Sequence, residues 1–262
     1  MRRFNKGFTL VELIAVMVVL SISATIGAGF IVDVVDQYQK ASLRSELVMR
    51  GTVAMEQMGR KLRLAVPNSV RVSPSGQCVE FLPLVGGSVY TQPVPDDDNG
   101  RLASNSITTV GFTLLAGSAV YALVAPMSSA EVYSGATSAN VRAAIAGTTG
   151  TPATSITLSA SHRFVRNSVS NRVLISDSPE RFCIGGGQLV NYRDYSFSTS
   201  ALGDSSPGGT SVVMADDVDA ATAFALTAGS ENRNAALDIA INVSGGSETV
   251  TLNNRVLIRN VP

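Results

Sequence analysis

A single carboxylate, Glu12, stands at the start of a long apolar run near the amino terminus. From Leu13 to Val32 no residue carries a charge. A charge held in hydrocarbon costs at least about 2.5 kcal/mol unless it reaches water or a partner. Glu12 is therefore a candidate for pairing with a positive group. Thr9 and Glu12 also have the S/T-x-x-E spacing of a capping box, a local role that is compatible with such pairing.

The two cysteines, Cys78 and Cys183, are the next candidates for chemistry. An even count in an oxidising compartment favours one disulfide, which would close a loop of about 100 residues and stabilise the fold by roughly 4 to 5 kcal/mol. Two separate buried thiols are the alternative. There is no Cys-x-x-Cys, and the single histidine has no nearby cysteine or second imidazole, so we predict no metal site and no cofactor.

A catalytic role has little support in the sequence. His162 is the only imidazole and Ser161 precedes it, but adjacent residues rarely face each other as nucleophile and base. No Gly-x-Ser-x-Gly elbow accompanies them. We therefore predict that the protein is not an enzyme and has no catalytic residues; a membrane-tethered enzyme remains a competing hypothesis.

Two acidic clusters could in principle bind calcium. Asp96-Asp97-Asp98-Asn99-Gly100 resembles a calcium loop, but aligning Gly100 with the required glycine puts Pro95 in place of the first carboxylate. An acidic, solvated turn is the preferred interpretation. The second cluster, Asp216, Asp217 and Asp219, could cap a helix or line a loop.

The apolar run requires a membrane-spanning helix. At about 1.5 Å per residue, Leu13 to Val32 matches the roughly 30 Å hydrocarbon core of a bilayer. Arg2, Arg3 and Lys6 precede it, and basic residues beside a span tend to remain cytoplasmic. The sequence thus predicts a single membrane pass, with the larger part of the chain facing the periplasm or the cell exterior; the family resemblance described below implies the inner membrane and the periplasm.

The helix is expected to continue beyond the membrane. No proline occurs before Pro67, and apolar or small residues recur every three or four positions on one face. These residues are Leu43, Leu47, Gly51, Ala54, Met58, Leu62 and Ala65. We predict one helix from Phe8 to about Leu64, with an assembly half over 8–35 and an amphipathic half over 36–66 that packs on the rest of the chain.

Residues 67–262 have short β-like runs separated by turn residues, which predicts a β-rich head and an α+β fold. The expected strands cover 69–72, 79–84, 109–115, 120–124, 172–176, 181–184, 188–192, 235–243, 250–252 and 256–259. The stretch 128–155 is rich in Ala, Ser, Thr and Gly. We interpret it as an insertion or surface lobe, with a short helix at 131–133 or 139–146.

The segment Lys6-Gly7-Phe8-Thr9-Leu10-Val11-Glu12, followed by an apolar helix, resembles the class III signal of type IV pilins and type II secretion pseudopilins. The resemblance implies that a prepilin peptidase cuts after Gly7 and methylates the new amino terminus at Phe8. It also implies that Glu12 pairs with the terminal amine of a neighbouring pilin during assembly on an inner-membrane platform. An uncleaved signal anchor is the alternative.

The second half is similar to larger minor members of the family. Arg181-Phe182-Cys183-Ile184, Gly187 to Tyr192 and the ending Val256 to Pro262 resemble J-type pseudopilins, W-type minor pilins and, among these, MshO-type minor pilins of the mannose-sensitive haemagglutinin (MSHA) pilus. The resemblance implies a minor pilin that starts or caps a filament, with its bulky head at the tip. A type II secretion pseudopilin and a tip adhesin are the alternatives.

The charge balance argues against a nucleic-acid partner. The chain has 20 basic and 20 acidic residues. Loss of Arg2, Arg3 and Lys6 with the leader 1–7 would leave 17 basic against 20 acidic side chains, a formal charge of minus three. Nucleic-acid binding domains usually carry a basic patch, and none is evident here.

Overall fold

The computed structural model describes residues 7–115, 117–135, 140–229 and 234–259. Its first element, α1, is one uninterrupted helix from Leu10–Arg63. Thr9 caps its start in an extended conformation, and the Leu64 N–H bonds back to the Lys61 carbonyl at its end. The predicted helix from Phe8 to Leu64 is thus correct to within two residues, because a capping threonine and a downstream proline bound it.

The two halves of α1 have different surroundings. Before Leu43 every described residue of the helix is exposed. From Leu47 onward, one face is buried against the head, as the three- and four-residue spacing predicted. The buried positions are Leu47, Gly51, Ala54, Met55, Met58, Gly59 and Leu62.

Fifteen strands and one short helix follow α1 in the part of the chain that the structure describes. In chain order they are β1 (Arg71–Val72), β2 (Cys78–Phe81), β3 (Leu84–Val89), β4 (Ser104–Phe112), β5 (Tyr121–Leu123), α2 (Ser129–Val132), β6 (Arg142–Gly150), β7 (Ala153–His162), β8 (Arg172–Ser176), β9 (Glu180–Gly185), β10 (Gln188–Arg193), β11 (Thr210–Asp216), β12 (Val218–Asp219), β13 (Phe224–Thr227), β14 (Ala235–Gly245) and β15 (Glu248–Ile258). The α+β class predicted from the sequence is confirmed.

Two sheets and α1 share the largest core. The first sheet has the antiparallel order β1-β2-β9-β10-β11, and the C-terminal sheet pairs β14 with β15 on one edge and with β12 and β13 on the other. Phe182 of the first sheet, Ile241 of the C-terminal sheet and Met58 of α1 all lie in this core. Because α1 covers the C-terminal sheet, the helix is anchored by the last strands of the chain.

The remaining six strands form a separate layer in the order β3-β8-β5-β6-β7-β4. Its two outer strands meet, since the Thr91 N–H donates to the Thr108 carbonyl over 3.0 Å and Tyr90 forms a bridge with Thr109. The sheet thereby closes on itself as a small barrel, with Ile156 and Ile175 among the buried side chains that fill it. None of its strands is among those that make the main contacts with α1.

The structure corrects the interpretation of the stretch rich in Ala, Ser, Thr and Gly. Residues 128–155 provide α2, β6 and the start of β7 of the barrel, with Ala143 buried in its core. The short helix lies at Ser129–Val132, close to the first predicted position. A helix over 139–146 is wrong from residue 142 onward, where β6 runs; residues 136–139 lie outside the described residues.

Several predicted strands have different bounds. The strand expected at 109–115 is Ser104–Phe112, and the two expected at 250–252 and 256–259 are the single strand β15. The hairpin between β9 and β10 turns at Gly186 and Gly187, as predicted; both have positive φ, which glycine adopts without a Cβ clash.

Candidate assembly site at the amino terminus

The junction between Gly7 and Phe8 lies just before the helix. A Cβ on Gly7 would meet no atom within 4 Å, and Phe8 is 77% exposed. The chain itself therefore offers no contact that requires glycine at position 7. The need for glycine, expected from the resemblance, would have to come from an enzyme that binds the segment.

Thr9 caps α1 without using the Glu12 carboxylate. The Thr9 hydroxyl accepts a hydrogen bond of 3.3 Å from the Glu12 backbone N–H. The reciprocal bond of a capping box, from the Thr9 N–H to the Glu12 side chain, is not formed within the described residues. The carboxylate has no hydrogen bond or ion pair there either. It is free to bind a positive group from outside the chain.

The helix surface around Glu12 is apolar on all sides. Large side chains along it are about half to three-quarters exposed, including Leu10 at 74%, Leu20 at 62% and Ile31 at 63%. The helix is long and apolar enough to cross a membrane, and its apolar window has no buried residue. Such a surface is stable in lipid or against other apolar helices, but it is costly in water.

Two hydroxyl side chains within this segment bond to the helix's own backbone. The Ser21 hydroxyl donates to the Met17 carbonyl over 2.7 Å, and the Thr25 hydroxyl donates to the Ile22 carbonyl over 2.9 Å. Near them, Gly27 and Gly29 have no neighbour within 4 Å of a Cβ position. Small residues at mid-span permit another helix to approach closely.

The far half of α1 is tied firmly to the head. A Cβ on Gly51 would overlap the Leu252 side chain of β15, which packs closely against the helix backbone at this glycine. The Lys61 ammonium donates to the Glu180 carboxylate over 2.6 Å, and the Arg50 guanidinium lies 3.6 Å from the Asp217 carboxylate. These contacts attach the far half of the helix to both β9 and the segment between β11 and β12.

The two cysteines form a disulfide across paired strands. Cys78 of β2 lies opposite Cys183 of β9, and both are buried. No free cysteine occurs in the chain. The bond joins residues 105 positions apart and fixes the centre of the first sheet.

A buried ionic cluster, which the sequence did not reveal, lies beside the disulfide. Glu80, 1% exposed, accepts hydrogen bonds from the Arg71 Nε over 2.7 Å, from the Arg181 Nη2 over 2.8 Å and from the Tyr195 hydroxyl over 2.8 Å. Burial, together with the nearby Glu80 carboxylate, raises the pKa of Tyr195 well above its ordinary value. The register of β1, β2 and β9 brings these charges together. No local pattern of residues could have predicted it.

The same arginines hold the loop that follows β10. Arg71 donates to the Ser200 carbonyl over 2.9 Å and stacks on the Tyr133 ring with its guanidinium carbon 3.6 Å from the centroid. Arg181 donates to the Ser205 carbonyl over 3.0 Å. The cluster is therefore a structural link between the first sheet, this loop and α2.

The first acidic cluster is held mainly by protein donors. Asp96 accepts from the Asn99 and Asp98 N–H groups over 2.7 and 3.1 Å, and also from the Asn167 amide. Burial raises the pKa of Asp96, but these hydrogen bonds outweigh it and leave the pKa below its ordinary value. Asp97 lies 3.6 Å from Arg163.

The second acidic cluster is dispersed among different partners. Asp216 accepts from Gln188 over 2.8 Å, Asp217 faces Arg50, and Asp219 accepts from the following N–H. Across the described ranges, no group of three His, Cys, Asp or Glu side chains is arranged to hold a metal ion.

His162 occupies a structural position at the end of β7. Its Nε2 lies 3.0 Å from the Asn140 carbonyl, and its ring packs edge-on against Phe164 with centroids 4.6 Å apart. No contact with Ser161 that would support nucleophilic chemistry is formed among the described residues.

Comparison with known protein families gives a match at the amino terminus. Residues 2–28 match the prokaryotic N-terminal methylation motif. Neither a curated protein nor a solved structure matches the chain at a significant level. The motif indicates a type IV pilin-like precursor that is processed by prepilin peptidase, and the long apolar helix fits a membrane-anchored pilin.

Proposed function

We propose that this protein is a minor pilin that helps to initiate or cap an MSHA-like type IV pilus. Prepilin peptidase cleaves it after Gly7 and methylates Phe8. The inner membrane holds it by α1 with the head in the periplasm. It then joins other minor and major pilins on the assembly platform, at the pilus tip.

The observation that carries this proposal is the isolation of the first half of α1. Its apolar surface and the Glu12 carboxylate have no partner among the described residues. In the membrane, lipid covers that surface; outside it, only other apolar helices can do so. Cleavage after Gly7 would create a positive amine at Phe8, and Glu12 of an adjacent subunit would neutralise it.

The size and division of the head support a terminal position rather than a place in the shaft. The first sheet and the C-terminal sheet, which share a core with α1, are accompanied by the barrel, whose strands are not among those that make the main contacts with the helix. A subunit of this bulk is easiest to accommodate where fewer neighbours crowd it. A tip adhesin is the second candidate function, because the barrel provides a surface that α1 does not occupy.

A J-type pseudopilin of a type II secretion system would have the same helix and cleavage site. The two roles differ in what is lost without the protein: surface pili in one case, secreted substrates in the other. A tip adhesin would differ again, because its loss would abolish adhesion while pili remain.

The test is a strain that lacks this protein, compared with its complemented parent. We expect surface pili to fall sharply, secretion to stay normal, and complementation to restore the pili. Normal pilus numbers with defective secretion would favour the pseudopilin, and normal numbers with lost adhesion would favour the adhesin.

A further inference from the structure

The loop between β10 and β11 is held to the first sheet by side chains. It covers residues 194–209 and contains no helix or strand. Within the described residues, none of its backbone groups bonds to another backbone group. Its carbonyls instead accept hydrogen bonds from two arginines of the sheet, Arg71 and Arg181. The accepting carbonyls are those of Ser198, Ser200, Gly203 and Ser205. The attachment of the loop therefore depends on where these two guanidinium groups are held.

One buried carboxylate holds both guanidinium groups. Arg71, Glu80 and Arg181 lie opposite one another in the register of β1, β2 and β9, so their side chains form a row on one face of the sheet. Glu80 is 1% exposed and forms an ion pair with each arginine. Tyr195, the second residue of the loop, donates to the same carboxylate over 2.8 Å. Loss of the Glu80 charge would therefore loosen the loop at several points.

The disulfide lies on this same face of the sheet, under the loop. Cys78 is two positions before Glu80, and side chains two positions apart in a strand share a face. Cys183 is likewise two positions after Arg181. Leu202 of the loop is 5% exposed and forms one buried cluster with the two cysteines. With the loop in place, Cys78 is 0% exposed and Cys183 is 6% exposed.

We propose that residues 194–209 form a strap that closes over the Cys78–Cys183 disulfide once the bond has formed, and that Glu80 holds the strap in place. The strap shields the bond from external dithiols. The inference uses contacts within the head alone, so it does not depend on the proposed function.

The reaction that the strap prevents is thiol–disulfide exchange. A thiolate of the external dithiol attacks one sulfur of the bond, forms a mixed disulfide and releases the other cysteine as a thiolate. The second thiolate of the dithiol then attacks the mixed disulfide and releases the second cysteine. The protein disulfide thus gains two electrons, and the dithiol is oxidised to its own disulfide. Both steps require a thiol to reach a sulfur atom, and the cysteines are buried while Leu202 covers them.

The strap also sets an order of events during maturation. An oxidising enzyme has to reach the two thiols before the strap closes, because the closed strap leaves both cysteines buried. Later opening is a local event, since the strap has no backbone pairing with its neighbours among the described residues. Lifting it exposes little surface. Reduction through strap opening should therefore depend weakly on denaturant, whereas reduction through global unfolding should depend steeply on it.

The rate of reduction of the full-length protein in detergent tests the strap. Oxidised protein is treated with dithiothreitol, and the released thiols are trapped with N-ethylmaleimide and counted by mass spectrometry. We expect Leu202→Ala to speed reduction by about tenfold or more, since truncation of a buried leucine removes much of its packing. Leu158→Ala, the same truncation in the barrel core, is the matched control and should change the rate little. An unchanged rate in Leu202→Ala, or an equal increase in both variants, would overturn the proposal.

The role of Glu80 is tested by the urea dependence of the same rate. Glu80→Gln also lowers global stability, so its reduction is followed at urea concentrations well below its own unfolding transition. We expect reduction there to be faster than in the wild type and nearly independent of urea. A rate equal to that of the wild type would show that Glu80 does not hold the strap. A steep rise with urea from zero upward, in the variant and the wild type alike, would show that the bond is reached only through unfolding and would overturn the strap.

Discussion

The Thr9 hydroxyl accepts the Glu12 backbone N–H over 3.3 Å, while the Glu12 side chain makes no return bond to Thr9. Thr9 thus caps the first turn of α1 by accepting the Glu12 N–H. Because the carboxylate takes no part in the cap, changes at these two positions separate helix capping from ion pairing. Variants at Thr9 and Glu12 can therefore show whether Glu12 acts in helix capping or in ion pairing with a neighbouring subunit.

Cleavage is expected to depend on Gly7 even though the chain itself does not need it. Gly7→Val meets no neighbour in the structure, so folding and membrane insertion should be unchanged. A peptidase that fits this residue tightly should leave the precursor uncut. Mass spectrometry of the wild-type protein should find a terminus at methylated Phe8, and of the variant an intact leader. A mature terminus elsewhere would contradict the pilin assignment.

The disulfide should dominate head stability. Cys183→Ser opens a link between residues 105 positions apart and should lower the free energy of unfolding by roughly 2 to 5 kcal/mol. Urea titration of detergent-solubilised protein, with and without reductant, measures the loss. Reductant should weaken the wild type and leave the variant unchanged. Two thiols that titrate in the folded, unreduced protein would contradict the bond.

The Glu80 cluster should be sensitive to loss of its one negative charge. Glu80→Gln leaves the buried Arg181 and the partly buried Arg71 without a counter-charge, and breaking a buried pair costs about 3 to 5 kcal/mol. Tyr195→Phe is the matched control, because it removes one hydrogen bond to the same carboxylate but keeps the charge, and should cost about 1.5 to 3 kcal/mol. Equal losses in the two variants would mean that the charge contributes little.

Acid should weaken the link between α2 and the loop before β8. Two hydrogen bonds from Arg166 lower the pKa of Glu131 below its ordinary value of 4.5. The ionised pair therefore stabilises the fold fully above that pH, and the contribution is lost as the pH falls through the folded pKa. The stability difference between wild type and Glu131→Gln should shrink on acidification. A difference that stays constant would contradict this linkage.

The elements that could be predicted from the sequence are those marked by residues that lie close together in the chain. The capping Thr9, the long apolar run and Pro67 bound α1, and the glycines after β9 mark its hairpin with β10. The error over residues 142–146 has a physical reason. Alanine favours helix by propensity, but barrel packing places Ala143 in a core where a small residue is needed, and this context overrides propensity.

Apart from the disulfide, which the even cysteine count favoured, two long-range features could not be predicted from the sequence. Glu80 meets Arg181 over a separation of 101 positions, and the barrel closes by pairing Tyr90 with Thr109. Neither depends on a repeat or a spacing that can be read along the chain. The proposed assembly site rests on the opposite kind of signal: Gly7, Phe8, Thr9 and Glu12 are neighbours in sequence, and the chemistry predicted for them does not depend on the head.

The most direct test of the central claim is a count of assembled pili with Glu12→Gln, beside the amount of processed protein in the membrane. We expect normal cleavage and insertion but few pili, because the neighbour's buried amine loses its counter-charge, at about 3 to 5 kcal/mol for a well-buried pair. Thr9→Ala, which removes the cap at about 1 kcal/mol and leaves the carboxylate, should assemble far better. Normal pilus numbers with Glu12→Gln would contradict the pairing and leave Glu12 without a role in assembly.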